Sequence, residues 1–492
     1  MIYFSLIAYI LFLFGISFRL SKHDENADFF VGSRHSPWWA VALGMIGASV
    51  SGVTLISVPG WVKDTQFTYM QMVLGFLPGY LFIAYVLLPL YYKHNLTSIY
   101  GFLSKRYGEI GGKTASFFFV LGKLLSSAVK YFIAVFVLHK ILFESLNVPF
   151  LLVAVASIVV VWLYTFKGGI RTIVWTDFVQ SIFLLLTLVI LLFEVVQSFE
   201  QGFVESFLAV SDSVFSKTFI FDDWSSKQNF FKQFVSGAFI VIVMTGLDQD
   251  LMQKNLSCKN LKESRKNILL GSILFIPLNF ILLFLGALIC LVYTKNGYPI
   301  PSDGDALLSD FVIKSGSVAL IFFSIGILAS AFSSMDSAMT SITTSLSVDF
   351  VGVKRVTKNR RILIHFLVAL LFLFIMWLTS LFKNSNAIDL IYTLVSYLYG
   401  PLLGLFTFGM LTSRAVRPFA IPIATVLGPI LSYLLFLVFK GVGYIMGYEL
   451  LLLNGFLVCL FLFIGSKKKV NQITLKNERN SKIIKGNVCK LT

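Results

Sequence analysis

The stretch Ile327–Asp349, ILASAFSSMDSAMTSITTSLSVD, places hydroxyls at Ser330, Ser333, Ser334, Ser337, Thr340, Ser341, Thr343 and Thr344, and a carboxylate at Asp336, within apolar sequence. On a helix, Ser333, Ser337, Thr340, Ser341 and Thr344 share one face, with Asp336 beside it. A lipid-facing helix gains nothing from that row. A carboxylate at membrane depth is costly and marks function. Stacked hydroxyl oxygens next to a carboxylate are the ligand set of a hard alkali cation. Hydroxyls alone would serve equally as packing contacts between membrane helices. The run Ser-Ser-x-Asp-Ser turns the reading toward a cation or solute pathway.

Further polar residues need placing. Asp177, in KGGIRTIVWTDFVQ, stands about two turns into an apolar segment. Lys123 and Lys130 are seven apart, hence on one helix face, with Ser126 and Ser127 between them. Lys130 is nearest mid-span, as a counter-charge for an anionic solute or as the partner of Asp177 or Asp336. Asp248 and Asp250 precede the basic stretch 254–266 and read as a solvated helix end. Gly44, Gly47, Ser49, Ser51, Gly52 and Thr54 make a helix able to break at mid-membrane, freeing carbonyls for ions. Pro59-Gly60 is expected to end it, with an outside loop at 60–69. Gly246 after Thr245 is a second interruption. Gly400-Pro401 marks a bend suited to a gate, with Tyr392, Tyr397 and Tyr399 offering hydroxyls nearby.

The elements that must position these groups follow from composition. The 492 residues are 57% hydrophobic and 13% charged, about half the charge of a soluble protein. The chain is therefore an all-α polytopic membrane protein with about 13 apolar spans. Most of its 40 Lys and Arg fall in alternate loops, which puts the N-terminus outside and the C-terminus in the cytoplasm. The net charge of +16 is thus a topology signal, and no soluble domain supports nucleic-acid binding. The first span reads as a retained helix, without a cleavage signal. His139 and His365 lie near span ends without acid partners, so an enzyme is not expected.

The segments GGIRTIVWTDFVQSIFLL, SSMDSAMTSITTSLSVDF, ADFFVGSR and GPLLGLFTFGM together resemble the sodium:solute symporter family, over roughly residues 1–466. Its members carry sugars, proline, sialic acid, pantothenate and monocarboxylates with sodium. The resemblance implies a LeuT-like fold of two inverted five-helix repeats, 37–197 and 229–410. An extra helix and loop precede them (1–36), an extracytoplasmic segment separates them (198–228), two helices follow (411–466), and a basic cytoplasmic tail closes the chain (467–492). The main sodium site carries over to Gly47 and Val50 with Ser330, Ser333 and Ser334. A second cation site, found in some members, carries over to Asp177, Ser333, Asp336 and Ser337, where Asp336 replaces a hydroxyl. Solute contacts carry over to Ser49, Ser51 and Thr54. Lys130 lies near the carboxylate-binding arginine of the sialic acid branch. The glutamate of sugar-binding relatives aligns near Val73, leaving Gln71 as the nearest polar substitute. Gly246, Gly400 and Pro401 are the gating positions. The expectation is a multi-pass symporter of the cell membrane, importing a small, carboxylated solute by alternating access. Sodium is its coupling ion, it has no other metal or cofactor, it contacts lipid, and it is expected as a monomer. Proton coupling through Asp177 and Asp336 stands as the alternative.

Overall fold

The computed structural model describes residues 1–20, 29–30, 32–381, 387–444 and 446–467. The first connecting loop (21–28) and the basic tail from 468 onward lie outside the described residues. The helices are α1 (Ile2–Leu20), α2 (Trp38–Ser49), α3 (Gly52–Thr65), α4 (Tyr69–Lys93), α5 (Gly101–Tyr107), α6 (Glu109–Leu142), α7 (Phe150–Thr165) and α8 (Gly169–Ser198). They continue with α9 (Phe203–Ser211), α10 (Phe230–Gly246), α11 (Gln249–Leu256), α12 (Leu261–Lys295), α13 (Leu307–Ser315), α14 (Ser317–Ser345), α15 (Lys358–Ser380), α16 (Ala387–Leu398), α17 (Gly400–Leu411), α18 (Ala420–Gly441) and α19 (Leu450–Ile464). Among the described residues the only strands are β1 (Ala415–Val416) and β2 (Ser466–Lys467), paired antiparallel.

Among the described residues eight helices are long and apolar enough to cross a membrane, or up to eleven if each bent pair is one span; α7 and α19 are shorter apolar helices. By length and composition the spans thus number eight to eleven, against the 13 expected from the sequence. Polarity is arranged inside out. Leu363, Phe366, Leu370, Phe374 and Trp377 on α15, and Ile423, Ile430 and Leu437 on α18, face outward, whereas Asp177, Asp336 and Lys254 are buried. That is the distribution lipid imposes, since unpaired polar groups cannot face hydrocarbon.

Three pairs are bent by more than 40°: α2 with α3 by 53°, α10 with α11 by 62°, and residues 389–398 of α16 with α17 by 44°. At the first break Val50 leaves helical geometry and Ser51 is extended. Its hydroxyl accepts the Thr54 N–H at 3.4 Å and so caps α3. The second break is built alike: Asp248 is extended and accepts the Asp250 N–H at 2.9 Å, capping α11. Its freed carbonyls are already taken, Gly246 by the Tyr91 hydroxyl at 2.8 Å and Leu247 by that of Tyr100 at 3.0 Å. The expectation that Pro59-Gly60 ends the first broken helix does not hold. α3 runs through both to Thr65, because Gly60 packs backbone to backbone against Gly304, and Gly286 against Pro59. Residues 60–65 are therefore helix, not loop.

The third bend has a local cause. Pro401 has no N–H, so the Tyr397 carbonyl loses its helical donor. Asn454 of α19 supplies one, its amide lying 3.0 Å from the carbonyls of both Ser396 and Tyr397. Gly400 is required there, because a Cβ would strike the Asn454 side chain. Asn454→Leu is expected to cost about 1–3 kcal/mol by stranding those carbonyls, read as a lower Tm in detergent.

Candidate functional site

The first break and the centre of α14 meet. The Ser330 hydroxyl donates to the Val50 carbonyl at 3.0 Å. Ser333, one turn on, donates to Asp177 Oδ1 at 2.5 Å. The Ser334 hydroxyl is buried and has no hydrogen-bond partner among the described residues. Gly47, one turn before Val50, presses against Ser181 of α8 so closely that a Cβ would collide with the serine side chain. Small residues on α2 thus let its broken end lie against both α8 and α14. Buried polar atoms are normally paired, so the unpartnered Ser334 hydroxyl, one turn along α14 from Ser330, stands out.

The four residues expected to form a second cation site also converge. Ser337 donates to Asp336 Oδ1 at 3.1 Å and lies 3.5 Å from Asp177 Oδ2, while Tyr164 donates to Asp336 Oδ2 at 2.8 Å. The sequence reading missed the cation already present. Lys254 Nζ is 2.7 Å from Asp177 Oδ2, with side chains 1% and 0% exposed respectively. Its place in a run of charges that reads as a solvated loop concealed it.

The same misreading affected Asp248 and Asp250, which are buried rather than solvated. The bend after Gly246 turns α11 into the protein, where Lys123 Nζ meets Asp250 at 2.7 Å and Asp248 at 3.3 Å. Tyr399 also donates to Asp248 Oδ2 at 2.8 Å. A line of alternating charge, Lys123–Asp250–Lys254–Asp177, therefore crosses from α6 through α11 to α8, with a 3.8 Å step between Asp250 and Lys254.

Beside it is a cavity of about 110 Å³, lined by Ser49, Ser51 and Thr54 at the first break and by Lys130, Thr245 and Tyr392, among others. Four of the residues expected at the solute site, Ser49, Ser51, Thr54 and Lys130, thus line one cavity. Gln71 is not. Its amide donates to the Thr68 and Gln228 carbonyls and its oxygen accepts the Ile220 N–H, which ties it to the segment between the repeats instead of the cavity. Tyr392 and Tyr399 line the cavity, whereas Tyr397 packs against Tyr433 of α18. Tyr80 and Thr245, which sequence reasoning did not select, complete the polar lining. Both histidines have local partners: His365 is 2.9 Å from the hydroxyls of Thr165 and Thr343, and His139 is 2.7 Å from the Val148 carbonyl.

The chain is 24% identical over 434 residues to the sodium/sialic acid symporter NanT of Aliivibrio fischeri, covering 84% of this chain and 83% of that protein. It is 25% identical over 423 residues to the sodium/sialic acid symporter SiaT of Proteus mirabilis, covering 82% of each. A solved structure of a Na⁺-coupled sialic acid symporter in a substrate-bound, outward-open state superposes with a TM-score of 0.80 at 19% identity, covering 95% of this chain and 99% of that one. Mhp1, a nucleobase-cation-symport-1 family transporter, superposes with a TM-score of 0.58 at 13% identity, covering 89% of this chain and 94% of that one. These neighbours establish the LeuT-like architecture. The profile of the sodium:solute symporter family matches residues 29–428, and the chain belongs to that family.

Proposed function

We propose that the chain imports a small, carboxylated organic solute by sodium-driven symport, with sodium held at the Gly47, Val50, Ser330, Ser333 and Ser334 positions. The observation that carries this reading is the unpartnered, buried Ser334 oxygen on α14, one turn along from Ser330, whose hydroxyl reaches the Val50 carbonyl at the first break. An ion there joins the two repeats, 37–197 and 229–410, and shapes the Ser49–Thr54 wall of the adjoining cavity. Two full-length relatives named as sodium/sialic acid symporters support sodium as the ion and sialic acid as the first solute to test.

The driving force follows from the ion. One sodium entering down 100 mV gains about 2.3 kcal/mol, and a tenfold gradient adds about 1.4 kcal/mol. Sodium loss on the cytoplasmic side separates α2 from α14 and opens the inner path, with Gly246 and Gly400-Pro401 at the bends that absorb the motion.

The test is uptake into proteoliposomes of sialic acid, monocarboxylates, amino acids, vitamins and sugars, with and without a sodium gradient. Sodium-dependent accumulation of a carboxylated solute supports the reading. Uptake that follows pH and ignores sodium moves coupling to Asp177 and Asp336 as proton carriers. Ser334→Ala is expected to raise the half-saturating sodium concentration about tenfold, the effect of losing one oxygen bonded to a charge at about 1.5 kcal/mol. Sodium titration of uptake checks it.

A further inference from the structure

We propose that the Lys254 ammonium is a built-in cation standing where a second sodium ion would bind, so that transport is coupled to one sodium ion. The inference rests on the sodium-coupled reading above.

Three observations carry it. The first is position. Asp177 is one of the two anionic members of the would-be second site, and its Oδ2 is held by Lys254 Nζ at 2.7 Å while its Oδ1 takes the Ser333 hydroxyl at 2.5 Å. The second is burial. The lysine side chain is 1% and the aspartate 0% exposed, so the ammonium is buried against that carboxylate. The third is the pairing of the other carboxylate: each Asp336 oxygen accepts a hydroxyl hydrogen bond, from Tyr164 at 2.8 Å and from Ser337 at 3.1 Å.

A sodium ion on the Asp177, Ser333 and Ser337 oxygens would stand about 4 Å from the ammonium. In a medium of effective dielectric 20, that repulsion taken by itself is a factor of about a thousand in occupancy, which the Asp336 carboxylate offsets in part. The lysine also does the joining work of an ion. It projects from α11, in the second repeat, onto α8, in the first, next to Ser333 and Ser337 of α14. Unlike an ion, it stays with the chain. The gain from one sodium at 100 mV and a tenfold gradient limits accumulation of a neutral solute to about 500-fold, where two would reach about 10⁵-fold.

The test uses the purified full-length protein and sodium alone as the probe. Equilibrium binding of radioactive sodium should give one ion per chain, with Lys254→Arg unchanged. Lys254→Gln should bind two, and the rise of its Tm with sodium concentration should steepen accordingly. Should that variant fail to fold, Lys254→Gln with Asp336→Ser removes one charge of each sign and should also bind two. Two ions on the unaltered chain, or one on a folded variant lacking Lys254, overturns the proposal and leaves the sodium-coupled reading standing. No bound sodium on the unaltered chain overturns both.

Discussion

Asp177→Asn is expected to lose about 3–5 kcal/mol of stability, a large share of what holds a domain of ordinary stability together. The loss does not come from the hydrogen bonds of Asp177, most of which an amide can replace. It comes from Lys254, whose ammonium is left buried with Asp250 as its next acid, at 3.8 Å. A buried pair contributes little compared with an apolar substitute, but half a pair is costly. Asp177→Asn combined with Lys254→Met should therefore recover much of the loss. Unfolding of the single and double variants in sodium-free detergent measures the coupling. A single variant that costs under 1 kcal/mol, or a double variant no better than the single, would show that the pair does not hold α11 against α8.

The legible part of this molecule was its pattern of apolar runs and the polar residues that interrupt them. The long apolar runs are helices or bent pairs, since hydrocarbon leaves the backbone few alternatives. The Gly44–Thr54 run gave away the first break because small residues there serve both a bend and close contact with α8. The hydroxyl row on α14 and Asp177 were visible for the same reason, as polar groups with no purpose in lipid. What the sequence hid was direction. Asp248, Asp250 and Lys254 form a dense charged run beside a basic loop, and charge density reads as water. Only the 62° bend after Gly246 turns that run inward, and nothing in the local pattern specifies the angle. Gln71 failed differently. Its spacing suits the cavity, but its side chain is spent on three backbone groups of a segment more than 140 residues away and of its own turn, pairings a linear pattern cannot show. Pro59 and Gly60 were misread because a contact with Gly286 and Gly304 lets a helix continue through residues that elsewhere stop one.

Lys130→Met is expected to weaken solute affinity by about 2–5 kcal/mol, roughly 30-fold to several thousand-fold, while Lys130→Arg retains transport. The charges around the cavity lead to this. Lys123 is taken by Asp250 and Asp248, and Lys254 by Asp177. Lys130 lies two turns along α6 from Lys123, lines the cavity, and makes no ion pair within 4 Å among the described residues. A mostly buried ammonium at the wall of a cavity is costly to leave unmatched, and a carboxylate in the solute would match it. The same solute charge is disfavoured near Asp248 and Asp250, so Lys130 sets orientation as well as affinity: carboxylate toward α6, hydroxyl-bearing atoms toward Ser49, Ser51 and Thr54. The measurement is a competition series on the transported solute, its amide and its methyl ester against the unaltered chain and both variants. The unaltered chain and Lys130→Arg should prefer the acid, and Lys130→Met should not discriminate. Equal affinity of the unaltered chain for acid and ester would mean that Lys130 balances the charged wall of the cavity and that the solute is neutral.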